Sequence, residues 1–167
     1  EWYDFLFSEK VPVLGEDIDL NQLIDGSLGG FDLIIIVDTN SLSQLPKFDQ
    51  YLKQNDKPVL IIDHHATADG LGDVELVDSS AASTGLIVYD LLQYAGWQIT
   101  ETIAEALFVA IATDTGWFQF SNTDSRVHRA CSELIDAGAK PIEIYHNLYQ
   151  NFSYARFRLT VAMLNTL

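Results

Sequence analysis

Pro58-Val59-Leu60-Ile61-Ile62-Asp63-His64-His65 is the stretch whose reading decides the fold. Four apolar residues follow the proline without a break, and Val59, Ile61 and Ile62 are β-branched. Such a run predicts a short strand buried on both faces, the usual state in a parallel sheet. It ends abruptly in Asp63-His64-His65. In open α/β sheets, ligands bind in the crevice outside the carboxyl ends of the strands. A carboxylate and two imidazoles are therefore delivered where a site is expected.

Working outward, Asp32-Leu33-Ile34-Ile35-Ile36-Val37 reads as a second buried strand, ending in Asp38-Thr39-Asn40. Between the two, Leu45, Phe48, Tyr51 and Leu52 fall at helical spacing and predict a helix over 44–55. Strand, helix, strand in so short a span is a βαβ unit with parallel strands. Parallel strands put Asp38 and Asp63 on the same edge of the sheet. Val74-Glu75-Leu76-Val77 predicts a third short strand. Asp78 and Ser79-Ser80 offer an N-cap for a helix over 81–95, which Gly96 closes. Thr100 caps the next helix, with Ile103, Leu107 and Ile111 on one stripe, ending at Thr113-Asp114-Thr115-Gly116. Asp124 caps a helix over 125–137, Pro141 opens another, and a last one covers 153–167. Residues 1–31 have weak periodicity, and Trp2-Tyr3-Asp4-Phe5-Leu6-Phe7 allows one helical turn. The expected fold class is α/β, a mainly parallel sheet flanked by helices.

Composition narrows the function. At 167 residues and 48% apolar content, the chain is sized for one domain with a substantial core. The formal charge is −15, from 24 acids against nine bases, so a basic nucleic-acid footprint is absent. Phosphate chemistry remains open if metal ions supply the positive charge. The single cysteine, Cys131, excludes an internal disulfide. No apolar run reaches the length of a membrane span and no signal peptide opens the chain, so a cytoplasmic protein is expected. The chain starts at Glu1, and its one methionine is Met163, so a fragment or processed product is expected.

Asp38, Asp63, His64, His65 and Asp114 form the constellation to test. Two-metal phosphoryl chemistry needs hard oxygen ligands, a bridging carboxylate and usually an imidazole or two. A lone cysteine and no Cys/His cluster favour Mn²⁺ over structural zinc. Other residues carry two readings. Ser83 and Thr84 open a helix, where they either present amides to phosphate or simply cap it. Trp117, Phe118 and Phe120 either stack a base or fill core. His128 reads as a supporting or surface residue, His146 as ordinary helix surface, and Arg126 and Arg129 as solvated ion pairs or phosphate attractors.

Three motifs in order carry a resemblance. Asp63-His64-His65 after Ile61-Ile62, Val37-Asp38-Thr39 one strand earlier, and Thr113-Asp114-Thr115-Gly116 after a long helix resemble the signatures of the DHH phosphoesterases. Ser83-Thr84-Gly85, and Gly116-Trp117-Phe118-Gln119-Phe120-Ser121-Asn122-Thr123 followed by His128, are similar to the branch containing oligoribonuclease/pAp phosphatases. The resemblance implies that Asp38 bridges two metals, that His64 and Asp114 ligate one of them, and that His65 contacts substrate phosphate. Ser83 and Thr84 are further candidates for phosphate, with Asp63 and His128 supporting. It implies hydrolysis of short oligoribonucleotides or nucleoside bisphosphates such as pAp, with two Mn²⁺ ions activating water. A short oligonucleotide or nucleotide is the expected partner, with no membrane; a homodimer stays open. Family members also carry an upstream His-x-x-x-Asp-x-Asp motif and a smaller C-terminal substrate domain. Neither is found here, so residues 1–167 are expected to be a single, incomplete catalytic domain, silent by itself. Arginines common in the branch are replaced by Ser41-Leu42-Ser43-Gln44 and by Gln119. Two alternatives stay open: a phosphoanhydride hydrolase acting on pyrophosphate or polyphosphate, and a non-catalytic nucleotide-binding domain.

Overall fold

Three parallel strands form one sheet in the order β1-β2-β3. They are β1 (Ile34–Val37), β2 (Val59–Asp63) and β3 (Val74–Val77). The computed structural model describes residues 3–151 and 153–166, so Trp2 of the aromatic opening and Leu167 of the last helix lie outside the described residues. Registers Val37↔Ile62 and Asp63↔Val77 align the carboxyl ends, as the two terminal aspartates require.

β2 is central, and its unbroken apolar run follows from that. Val59 and Ile61 face one side, with Ile36, Leu45, Phe48 and Leu52. Leu60 and Ile62 face the other, with Ala81, Ile87, Val88 and Leu91. The expectation that β1 is equally buried is corrected. β1 is an edge strand, and Ile35 and Val37 are about half exposed on the side where Leu60 and Ile62 are covered.

The helix expected over 44–55 shrinks to α2 (Phe48–Leu52), preceded by a 3-10 turn at Leu42–Gln44. Pro46 is the cause: it bars its predecessor from the helical region, and Leu45 sits at ψ 55. Lys47 then takes a left-handed conformation at φ 73. Ahead of β1, α1 (Leu20–Ile24) is too short to show periodicity. Its signal is the Asp19-x-x-Gln22 capping box, with both reciprocal bonds formed. The opening turn is a 3-10 helix at Asp4–Leu6.

After β3 the expected cap is corrected as well. α3 (Thr84–Ala95) starts three residues late, with Ser83 as N-cap accepting from the Leu86 amide at 3.1 Å. Asp78 cannot cap, because its carboxylate is engaged elsewhere. Oδ1 accepts from the Ser80 amide and hydroxyl at 3.0 and 2.6 Å, and Oδ2 accepts from Arg126 Nη1 at 2.9 Å. Gly96, left-handed at φ 66, closes α3 as expected.

α4 (Glu101–Asp114) is capped by Thr100 and α5 (Ser125–Asp136) by Asp124. α3, α4 and α5 pack the main core around Leu86, Phe108, Ile111, Val127 and Leu134. Trp117 and Phe118 pack against it, which settles them as core, whereas Phe120 is exposed. α6 (Pro141–Tyr145) runs on into a π-helical turn at His146–Gln150. α7 (Tyr154–Leu164) buries none of its described residues. Among the described residues no helix is long and apolar enough to cross a membrane.

The Arg126 clamp has a testable consequence. The Ser80 bond and then Arg126 hold the Asp78 carboxyl down at about 2, against an ordinary 3.8. A depressed carboxyl stabilises the fold above its unfolded value, and that contribution is lost as pH falls through about 2. Arg126→Ala is therefore expected to move acid unfolding, followed by circular dichroism, to higher pH. At neutral pH the cost stays below about 1 kcal/mol, because the pair is partly solvated. An unshifted acid transition would contradict this account.

Candidate metal centre

The chain leaves β1 by a left turn. Asp38 still donates its N–H to the Ile62 carbonyl at 3.0 Å, but its φ is 66. Aspartate tolerates the left-handed region better than most residues, and such outliers gather at functional sites. The Thr84 hydroxyl, in the first turn of α3, donates to Asp38 Oδ1 at 2.9 Å.

β2 ends in Asp63, which is fully buried beneath the site. Its Oδ1 accepts from the His64 and His65 amides at 2.8 and 3.2 Å and from His65 Nδ1 at 2.7 Å. One carboxylate thus folds the Asp-His-His tip over itself. The Asp63 bond raises the His65 pKa, outweighing the opposing effect of burial. His65 Nδ1 is committed to Asp63, so its Nε2 is the nitrogen left to face a ligand.

His64 is oriented differently. Its Nδ1 lies 3.4 Å from the Ala81 carbonyl. A carbonyl only accepts, so Nδ1 carries the proton and Nε2 presents a lone pair. That Nε2 lies 3.7 Å from Asp38 Oδ1 and 3.6 Å from Asp114 Oδ2. Asp114 comes from the last residue of α4. Burial and then the Asp38 charge push its carboxyl pKa up, with His64 and His65 opposing.

Of the five residues expected to converge, Asp38, His64, His65 and Asp114 meet, while Asp63 lies buried beneath them and holds His65. Ligand atoms of Asp38, His64 and His65 lie within 4.8 Å of one another. Asp114 joins through His64 rather than through that tightest trio. Among the described residues no lysine or arginine pairs with these carboxylates; their ion-pair partners are histidines. Two carboxylates therefore converge on the His64 Nε2 with no described lysine or arginine paired to them, and burial and then the Asp38 charge raise the proton affinity of Asp114. The donor set of carboxylate oxygens and imidazole nitrogens fits a divalent cation.

The comparisons bear on this arrangement. The description "DHH family, N-terminal domain" matches residues 2–111. The chain belongs to the DHH family. A bifunctional oligoribonuclease and PAP phosphatase NrnA of Thermus thermophilus is 39% identical over 109 residues, covering 65% of this chain and 33% of the relative. Its namesake from Bacillus subtilis is 30% identical over 153 residues, covering 90% of this chain and 44% of the relative. The chain thus spans a third to under half of the length of these relatives. An exopolyphosphatase-related protein from Bacteroides fragilis superposes with TM-score 0.81 at 24% identity, over 90% of this chain and 46% of that one, a likeness of fold.

Within this DHH domain two expected site residues stand apart. Ser83 is fully buried and its hydroxyl is occupied as the α3 cap, so it has no surface to offer a phosphate. His128 is exposed on α5, with its ring against Phe118 at a centroid distance of 5.4 Å. Sequence reasoning missed the Ala81 carbonyl that sets the His64 tautomer and the Thr84 hydroxyl's direct bond to Asp38. Neither leaves a local pattern, since the partners are 17 and 46 residues apart.

Proposed function

We propose that the chain is the core of a two-metal, Mn²⁺-dependent phosphoesterase acting on short oligoribonucleotides or nucleoside bisphosphates such as pAp. The observation that carries the reading is the convergence of Asp38, His64 and Asp114 with His65 at the carboxyl edge of the sheet. Asp38, His64 and Asp114 would hold metal. Bound divalent ions supply a lowered water pKa and positive charge for the phosphate. Asp38 is kept in its left-handed pose by the Thr84 bond. Asp63 holds the His65 ring and favours its protonated form, so Nε2–H can donate to a phosphate oxygen and stabilise developing charge. Relatives named as oligoribonuclease and PAP phosphatase support the substrate class. So does a mostly apolar cavity of about 500 Å³ beside Asp38 and Asp114, walled by Val37, Val88 and Leu107, which suits a base. A cytoplasmic location goes with this reading.

The test is turnover by the full-length protein with Mn²⁺, comparing pAp with pyrophosphate. Preference for pAp is expected. Hydrolysis of pyrophosphate alone would favour the phosphoanhydride reading, and turnover of neither would favour a binding domain.

The histidines are expected to separate. His64→Ala removes a ligand and should weaken Mn²⁺ binding by about tenfold or more. His65→Ala removes a phosphate donor and should lower turnover with little change in metal affinity. Equal loss of affinity in both variants, measured by calorimetry on the full-length protein, would refute this division.

A further inference from the structure

His64 follows the end of β2 and Asp114 ends α4, and one side chain ties their supports together. The Asn122 amide Nδ2 donates to the Ala82 carbonyl at 3.1 Å and to the Asp114 carbonyl at 3.2 Å. Ala82 is buried, and so is its neighbour Ala81, whose carbonyl accepts from His64 Nδ1. Both amide protons are used, one on each side of the site. The chain takes an unfavourable path to bring Asn122 there. Gly116, Trp117 and Phe118 are consecutively left-handed, at φ 54, 54 and 67. For the two aromatic residues this is a strained backbone region that the surrounding packing must hold. Their rings are wedged against Phe108, at centroid distances of 6.2 and 6.1 Å, which keeps the turn in place. The turn folds residue 122 back onto residue 114.

We propose that Asn122 is a positioning residue of the metal centre. By bridging the Ala82 and Asp114 carbonyls it fixes the spacing between the acceptor of His64 and the backbone of Asp114. His64 then keeps its proton on Nδ1 and presents Nε2 toward Asp38 and Asp114. This rests on the reading of His64 and Asp114 as metal ligands.

The test uses the full-length protein with ¹⁵N-labelled histidine, free of metal and at alkaline pH, where imidazoles are neutral. Wild type should show His64 as the Nδ1–H tautomer. Asn122→Ala should shift His64 toward a mixture and weaken binding of Mn²⁺ alone by about tenfold. Asn122→Asp places an oxygen against two carbonyl oxygens and should do at least as much. Asn122→Gln keeps both amide protons and should recover part of the loss; it also serves if the alanine variant fails to fold. Tyr89→Phe breaks the 2.6 Å bond to Glu133, away from the site. It should lower the melting temperature yet leave the His64 ring signals and Mn²⁺ affinity unchanged. Unaltered His64 signals and affinity in Asn122→Ala would overturn the proposal, as would equal losses in Tyr89→Phe. If His64→Ala leaves Mn²⁺ affinity intact, the ligand reading itself fails, a result distinct from a null effect at Asn122 alone.

Discussion

Asp38→Asn is expected to lower turnover of the full-length protein by about 10²- to 10³-fold or more, the scale of losing a central electrostatic contact. The fold should not suffer. Asparagine tolerates the left-handed region as well as aspartate does, so the φ of 66 is kept at no cost. Its Oδ1 still accepts from Thr84. Removing the Asp38 charge also relieves Asp114, whose carboxyl is pushed up partly by that neighbour. The melting temperature should therefore stay level or rise slightly while activity collapses. Steady-state kinetics beside thermal unfolding checks both halves. Activity within a few-fold of wild type would remove Asp38 from the centre of the reaction.

Gly85→Val should have the largest effect on stability. Gly85 lies where α3 crosses α4, and a Cβ built there meets Ala110 Cβ at 2.7 Å. Alanine has no torsion with which to turn away, so the helices must separate. Overpacking of this kind costs about 3 kcal/mol at the upper end of its usual range. The better helix propensity of valine offsets only about 0.5 kcal/mol. A melting temperature about 5–10 °C lower follows for a chain of this size. Because Thr84 precedes Gly85, moving α3 also draws the Thr84 hydroxyl off Asp38, and Mn²⁺ affinity should fall in parallel. A melting temperature within about 2 °C of wild type would show that the crossing has slack.

Ser83-Thr84-Gly85 illustrates how much of this site a sequence carries. As a tripeptide it marks the start of a helix, read either as a plain cap or as amides open to phosphate. In the structure the three residues do different things: Ser83 caps α3, Thr84 bonds Asp38, and Gly85 admits α4. Only the first is a local interaction. The same division explains the misplaced start of α3. Asp78 has the residue type of an N-cap, but Arg126, 48 positions later, competes for its carboxylate.

The sequence by itself determined what depends on neighbours along the chain. The β-branched run of β2, its paired aspartate endings, the caps at Thr100 and Asp124 and the stop at Gly96 are interactions within a few residues, written in order. Asp38, His64 and His65 could be collected because parallel strands must end on one edge, whereas Asp114 comes from the end of a helix. The tertiary structure decided the rest. It made β1 an edge strand with half its apolar surface open, and chose the tautomer of His64 through Ala81. It turned Asp38 left-handed, and brought Asn122 back across a left-handed turn to hold the two sides together. Each of these depends on partners outside its own stretch of chain, and the energy that selects it exists only once the elements have packed together.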